Sequence, residues 1–355
     1  MTDTEVNLQN SQELFYTNDS KYWSFYENGK ALAPLKFSNG KTQEDIVREI
    51  VELIKSGKKV ILLHGVCGTG KSAIALNVAR ALGKASIIVP IKSLQRQYEE
   101  DYMGKKYLIK PDGEKMKISI ITGRENHDSM LFQGKSCADP FLPETITIAE
   151  KNYEKIKKYY LENPFMSNND ISAVEHLKRI SIAPANPYWS PILPANIELY
   201  QLKDAVKKRY KGMGDREFIF YHRKKGCSYY DQYQSYLDSD VILFNSAKYL
   251  SEVAIGRKPY TNVDIIDEAD EFLDNLSNQV TLNLTRLSNS LIALRPDNAE
   301  ARFSIKRIIE LINIEEKKRK ALGTDENEIY HINETKIQEL LKVFLDDPEL
   351  EAEIL

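Results

Sequence analysis

Eight residues constrain this chain more than any others: Gly65-Val66-Cys67-Gly68-Thr69-Gly70-Lys71-Ser72. They fit the pattern G-x-x-x-x-G-K-[ST], with the apolar run Lys59–His64 before them and a helix-forming run from Lys71 to Leu82 behind. Glycines let backbone N–H groups converge on phosphate oxygens, and the start of a helix adds partial positive charge. In such a loop the Lys71 ammonium reaches the outer phosphates of a nucleoside triphosphate, and the Ser72 hydroxyl holds Mg2+. Gly65, Val66, Cys67, Gly68, Thr69, Gly70, Lys71 and Ser72 are therefore the candidate ATP contacts.

The surrounding pattern agrees with that loop. Thr42 is a candidate N-cap for a helix whose Ile46, Ile50 and Ile54 recur at helical spacing, and Gly57 supplies its stop. Lys59–His64 reads as a buried strand, the helix from Lys71 closes at Gly83, and Ala85–Pro90 reads as a second buried strand. Leu94–Tyr102 looks helical, and Pro111-Asp112-Gly113 marks a turn between strand-like runs that end in Ile118–Thr122. The alternation stops near Gly123 and resumes at Val241–Asn245 and Val263–Ile266. Short apolar strands alternating with helices predict an α/β fold around a parallel sheet. The chain then divides into an irregular lead-in (1–40), a motor-type domain (41–124 and 228–275), an insertion (125–227) and a helical segment (276–355) containing Arg302–Arg319 and Thr335–Phe344.

A length of 355 residues is ample for this organisation, and 42% hydrophobic with 28% charged residues is ordinary globular composition. No apolar run approaches a membrane-spanning length, and the first residues lack a signal-peptide pattern. Three cysteines, Cys67, Cys137 and Cys227, are too few and too odd for a disulfide scaffold. A cytoplasmic or nuclear location is expected. The formal net charge is −3, yet residues 203–225 carry nine Lys/Arg against three acids. Two readings of that stretch stand. In one, its cations bind a nucleic-acid backbone while Tyr210, Phe218, Phe220 and Tyr221 stack on bases; in the other it is a solvated face with a buried aromatic side.

A second motif supplies the partner of the glycine loop. In Val263-Asp264-Ile265-Ile266-Asp267-Glu268-Ala269-Asp270 an apolar strand ends in acids. Asp267 is placed to ligate Mg2+, and Glu268, one residue further, to act as general base toward water. Lys71, Asp267 and Glu268 are the candidate catalytic set.

Together these motifs resemble a superfamily-two helicase motor, and their details resemble the XPD/DinG type of DNA helicase. Gln43, 28 residues before Lys71, resembles that family's adenine-reading glutamine. Ile91-Lys92-Ser93-Leu94-Gln95-Arg96-Gln97 is similar to its DNA-backbone motif. Gly123-Arg124-Glu125-Asn126 and Cys227-Ser228-Tyr229-Tyr230 resemble the segments that enter and leave its iron–sulfur insertion. The resemblance implies a RecA-like parallel sheet flanked by helices, an inserted iron–sulfur-domain-like segment and the start of a helical arch. It implies ATP hydrolysis with Mg2+ coupled to 5′-to-3′ movement on single-stranded or forked DNA, and work such as DNA repair. It also implies DNA contacts at Lys92, Ser93, Gln95, Arg96 and Arg124, to which the basic run adds Lys208 and Arg209. A second RecA-like domain, not found in these residues, is expected downstream or on a separate subunit.

The cluster itself is not expected. A [4Fe-4S] cubane needs four thiolates, and only Cys137 and Cys227 occupy ligand positions; Ser129 and Asn186 stand near the others. A DEAD-box RNA helicase is a rival reading, opposed by the separation of 196 positions from Lys71 to Asp267. A nucleotide-gated DNA-binding module without significant ATPase is another.

Overall fold

The computed structural model describes residues 20–66, 68–166, 177–197, 199–276, 284–294, 299–317, 338–339 and 343. The expectations made for Cys67, for residues 1–19 and for most of Thr335–Phe344 lie outside them. The elements that matter run in order as strands β1 (Tyr26–Glu27) and β2 (Lys30–Ala31), helices α1 (Gln43–Lys55) and α2 (Lys71–Leu82), strand β3 (Ala85–Val89) and helix α3 (Lys92–Glu100). Strands β4 (Lys106–Tyr107) and β5 (Ile118–Ile121), helix α4 (Tyr153–Glu162) and strands β6 (Ile192–Pro194), β7 (Val206–Lys211) and β8 (Glu217–His222) follow. The chain continues through β9 (Val241–Asn245), α5 (Ser246–Ala254), β10 (Val263–Ile266), α6 (Ala269–Leu276), α7 (Leu284–Ala293) and α8 (Ala299–Lys317).

Contacts group these into two units. One comprises Met1–Asn126, Lys208–Phe218 and Ser228–Ser277. Its centre is a four-stranded parallel sheet in the order β10-β3-β9-β5. Ile87 lies between Ile265 on one side and Leu243 on the other, and every residue of β3 and β9 is buried. Near-continuous apolar strands of this kind are what a sheet covered on both faces requires. Helices α1 and α2 pack through Val47, Val51, Ile74 and Val78, all at most 3% exposed.

Local chemistry sets the helix ends. Thr42 and Asp45 form a reciprocal capping box at the start of α1. At its end Gly57 takes φ +92° while Lys58 N–H donates to Leu53 O and Gly57 N–H to Ile54 O, a Schellman closure. Gly83, at φ +96°, closes α2.

Two expectations need correction. Lys59–His64 is not a strand: among the described residues no ladder partner pairs with it, and Val60 and Leu62 are 80% and 86% exposed. β10 is an edge of the sheet among the described residues. An apolar run records the capacity to be buried, but burial needs a neighbouring strand, and here the run finds none. The lead-in, by contrast, is not irregular throughout. β1 pairs with both β2 and β4, and Trp23 and Phe25 enter the core beside Leu76, Ile87 and Leu243. Aromatic burial rather than periodicity orders that stretch.

The other unit comprises His127–Lys207, Ile219–Cys227 and Asn278–Leu355. It holds one apolar cluster around Ile146, Ile156, Tyr159, Tyr160 and Ile182, and another of Leu291, Ile305, Ile308 and Ile312 on α7 and α8.

Candidate functional site

The carboxyl end of β10 and the amino end of α2 meet. The α2 N-cap, Gly70, adopts φ +71°, and a Cβ there would lie 2.3 Å from Gln43 Nε2, so this turn needs glycine. Gln43 is only 3% exposed. Its Oε1 accepts from Leu35 N–H at 2.9 Å, and its Nε2 donates to Thr69 O at 3.0 Å. The glutamine expected to face adenine is thus held against the backbone of the phosphate loop itself. Thr69 Oγ1 donates back to Val66 O at 2.8 Å, which tightens the same turn.

Lys71, the first residue of α2, points its Nζ to Glu268 Oε1 at 3.3 Å and to Gly65 O at 3.4 Å. With 27% and 41% of the two side chains exposed, this ion pair is worth at most about 1 kcal/mol. It is a pair that an incoming anion can open. Glu268 sits at φ +50°, a left-handed conformation that costs a non-glycine residue on the order of 1–3 kcal/mol. Such strain collects where neighbours over-determine a position. Asp267, just beyond β10, anchors its N–H on Ile88 O at 2.9 Å.

One residue at this end escapes sequence reasoning. Tyr98 on α3 donates its hydroxyl to Asp267 Oδ2 at 2.9 Å. Burial first, and the Asp267 charge second, push its phenol pKa well above the usual range, so it stays a neutral donor. Its helical spacing from Leu94 marks Tyr98 as core-facing; nothing local marks its partner, 169 residues away.

Phosphate-loop sites keep Mg2+ with few protein ligands, since the nucleotide and water supply the rest. Ser72 and Asp267 fit that sparse set. The iron–sulfur cluster does not fit. Cys137 and Cys227 are both buried, with Sγ atoms 3.7 Å apart. Asn186 donates to Glu144, and Ser129 Oγ accepts from the Leu131 and Phe132 N–H groups. Among the described residues no group of three or more His, Cys, Asp or Glu is arranged to hold a metal. Two thiolates do not make a cubane site.

The DNA candidates divide. Lys92, Ser93 and Arg96 are exposed on α3, and Lys92 Nζ meets Glu125 Oε1 at 3.2 Å. Gln95 turns inward instead: it is 3% exposed, and its Nε2 faces Ile121 O and Leu243 O at 3.4 and 3.5 Å. Gln95 is a sheet contact because the inner side of α3 must cover β5 and β9. Arg124 lies over the Tyr229 ring, 4.5 Å from its centroid, and donates to Tyr230 Oη at 3.3 Å. Lys208 Nζ donates to Gln234 Oε1, and Arg209 is exposed beside Glu217 at 3.7 Å.

Base stacking by the aromatics of 203–225 is overturned. Tyr210, Phe218, Phe220 and Tyr221 are all at most 8% exposed. Tyr210 packs on Phe218 and Tyr236, and the Tyr221 hydroxyl accepts from Leu199 N–H. Arg223 is structural too, with a 1% exposed side chain bound to Asp204 and to the carbonyls of Pro184 and Asn186.

A glycine phosphate loop opening a helix beside a parallel sheet, with acids at the end of an adjacent strand, defines a P-loop nucleotide-binding domain. Residues 36–171 match the family model described as "Type III restriction enzyme, res subunit", a motor domain of superfamily-two helicase type. That match supports a RecA-like, ATP-hydrolysing motor and spans the phosphate loop but not Asp267 or Glu268. It does not single out the XPD/DinG type. No curated protein and no solved structure matches the chain. Among the described residues no helix is long and apolar enough to cross a membrane.

Proposed function

We propose that this chain carries the first motor domain of an ATP-dependent DNA helicase of XPD/DinG type, hydrolysing ATP as it moves on single-stranded DNA. The observation that carries the reading is the meeting of Lys71 and Glu268 at 3.3 Å, beside Asp267, at the mouth of the phosphate loop. Residues 197 apart in sequence converge on one another there.

The loop N–H groups and the α2 N-terminus receive the phosphates, and Lys71 leaves Glu268 to pair with their outer oxygens. Glu268, released from Lys71, accepts a proton from water directed at the outer phosphate. Ser72 and Asp267 would hold Mg2+, which when bound neutralises developing charge on the phosphate oxygens. Gln43, clamped on Thr69 O, ties the start of α1 to the backbone of the phosphate loop. Lys92, Ser93 and Arg96, exposed on α3, supply backbone contacts to DNA, with Arg124 and Arg209 further along. The 5′-to-3′ polarity, and a second RecA-like domain as partner, rest on resemblance.

The test is ATP turnover with and without single-stranded DNA, for the parent and for Glu268→Gln. DNA-stimulated turnover that the variant lacks, with nucleotide binding retained, supports the reading. Turnover equal in the two proteins removes Glu268 as base.

A further inference from the structure

We propose that Tyr98 is a positioning residue for the Mg2+·ATP site, its phenol fixing which oxygen of Asp267 is presented to the cation. The proposal rests on the reading of Asp267 as metal ligand given above.

Asp267 is the first residue past the end of β10, and its backbone is pinned by the N–H bond to Ile88 O at 2.9 Å. That bond fixes where the side chain starts but not how the carboxylate turns, since both side-chain torsions remain. The half-buried carboxylate is oriented by Tyr98, whose hydroxyl takes Oδ2 at 2.9 Å and leaves Oδ1 for another partner. The phenol is a stiff mount: Tyr98 is 2% exposed, belongs to the core of the sheet, and its ring lies 5.5 Å from that of Tyr102. One rigid hydroxyl therefore holds the carboxylate assigned to the metal.

The choice of a neutral donor matters. A lysine or arginine at this place would orient Asp267 equally well but would cancel its charge and compete with the cation. A phenol orients the carboxylate and leaves its charge in place. Partners that orient a metal-ligating group in this way are worth about 10–100-fold in metal affinity.

The test is a titration of a fluorescent ATP analogue into the full chain, in EDTA and over a range of Mg2+ concentrations, for the parent, Tyr98→Phe, Asp267→Asn and the double variant. Phenylalanine keeps the ring and its packing, so the melting temperature stays near the parent's. The expected result is an unchanged affinity in EDTA and a Mg2+ requirement raised about 10-fold in Tyr98→Phe, with no added effect of Tyr98→Phe in the Asp267→Asn background. A merely structural tyrosine would shift affinity equally with and without Mg2+, or would act independently of Asp267, and either result overturns the proposal. A Tyr98→Phe response to Mg2+ identical to the parent's, while Asp267→Asn loses it, overturns the tyrosine alone. A parent whose affinity ignores Mg2+ overturns the assignment of Asp267 and the proposal with it.

Discussion

The phosphate-loop end of the parallel sheet and the basic stretch 203–225 both concentrate chemically able side chains, and they dispose of them in opposite ways. At the first, polar groups from distant segments turn toward one another: Gln43 to Thr69, Lys71 to Glu268, Tyr98 to Asp267. Along the second, the aromatic groups turn inward and most of the cations stay outside, with Arg223 held inside as a structural pair. On β7, Lys207, Arg209 and Lys211 are exposed while Tyr210 is buried; on β8, five of six residues are buried. On β7 the period-two alternation of a strand is enough to explain the pattern, and β8 is simply buried on both faces. No such local rule explains the first, where each partner comes from a different element. Convergence against local periodicity is the better sign of a site, whereas a rich composition that obeys its strand's alternation is the sign of a surface.

The contrast can be broken at either end. The largest effect belongs to Glu268→Gln, where losing the proton acceptor should lower ATP turnover about 10²–10⁴-fold with nucleotide binding kept; equal turnover would dissolve the site as drawn. Next, Phe220→Ala on β8 should cost about 3–5 kcal/mol of stability, because a side chain with no exposed surface is removed from packed surroundings. Urea unfolding measures this. A loss of single-stranded DNA affinity with stability intact would instead return Phe220 to the role of a stacking platform.

Acid should act on the first unit through Glu252. Burial raises its pKa, but the hydrogen bonds and charges of Arg257 and Lys248 prevail and hold it at about 2, against 4.5 for a free glutamate. A depressed folded-state pKa gives stability that is fully present above pH 4.5 and lost as the pH falls toward 2. The whole contribution is on the order of 3 kcal/mol, and Glu252→Gln should flatten that limb of the stability–pH curve. An unchanged limb would show that Glu252 is not held by its two cations. The smallest effect is expected at Arg209. If the β7 cations bind only phosphate, Arg209→Ala should weaken DNA binding uniformly across sequences and reduce the salt slope by about 1. A sequence-dependent loss would mean that the strand reads bases.

Much of the fold was legible because its signals are local. Thr42, Gly57 and Gly83 mark helix ends through backbone geometry that acts within a few residues. The β3, β9 and β10 runs are apolar and become strands. Lys59–His64 carries the same signal and yet stays outside the sheet, because pairing is decided by a neighbour and not by the run. The motifs of the candidate site are local signals of the same kind. The loop and the acids announce themselves, but Gln95 on the helix that follows β3 has the polarity of a DNA contact and the position of a core residue. Tyr98 has the look of a core residue, and its role lies in a partner that no window of sequence contains.

The central claim is that the glycine loop and Lys71 form the phosphate site, with the paired acids completing it. Calorimetric titration of Mg2+·ATP into the full chain and into Lys71→Ala tests this most directly. In that role Lys71 would give the phosphates charge-assisted hydrogen bonds worth about 1.5–3 kcal/mol. The parent should therefore bind one nucleotide, and the variant should bind it at least about 10-fold more weakly, with its melting temperature unchanged. Equal binding by the two proteins, or no saturable binding by the parent, would contradict the account.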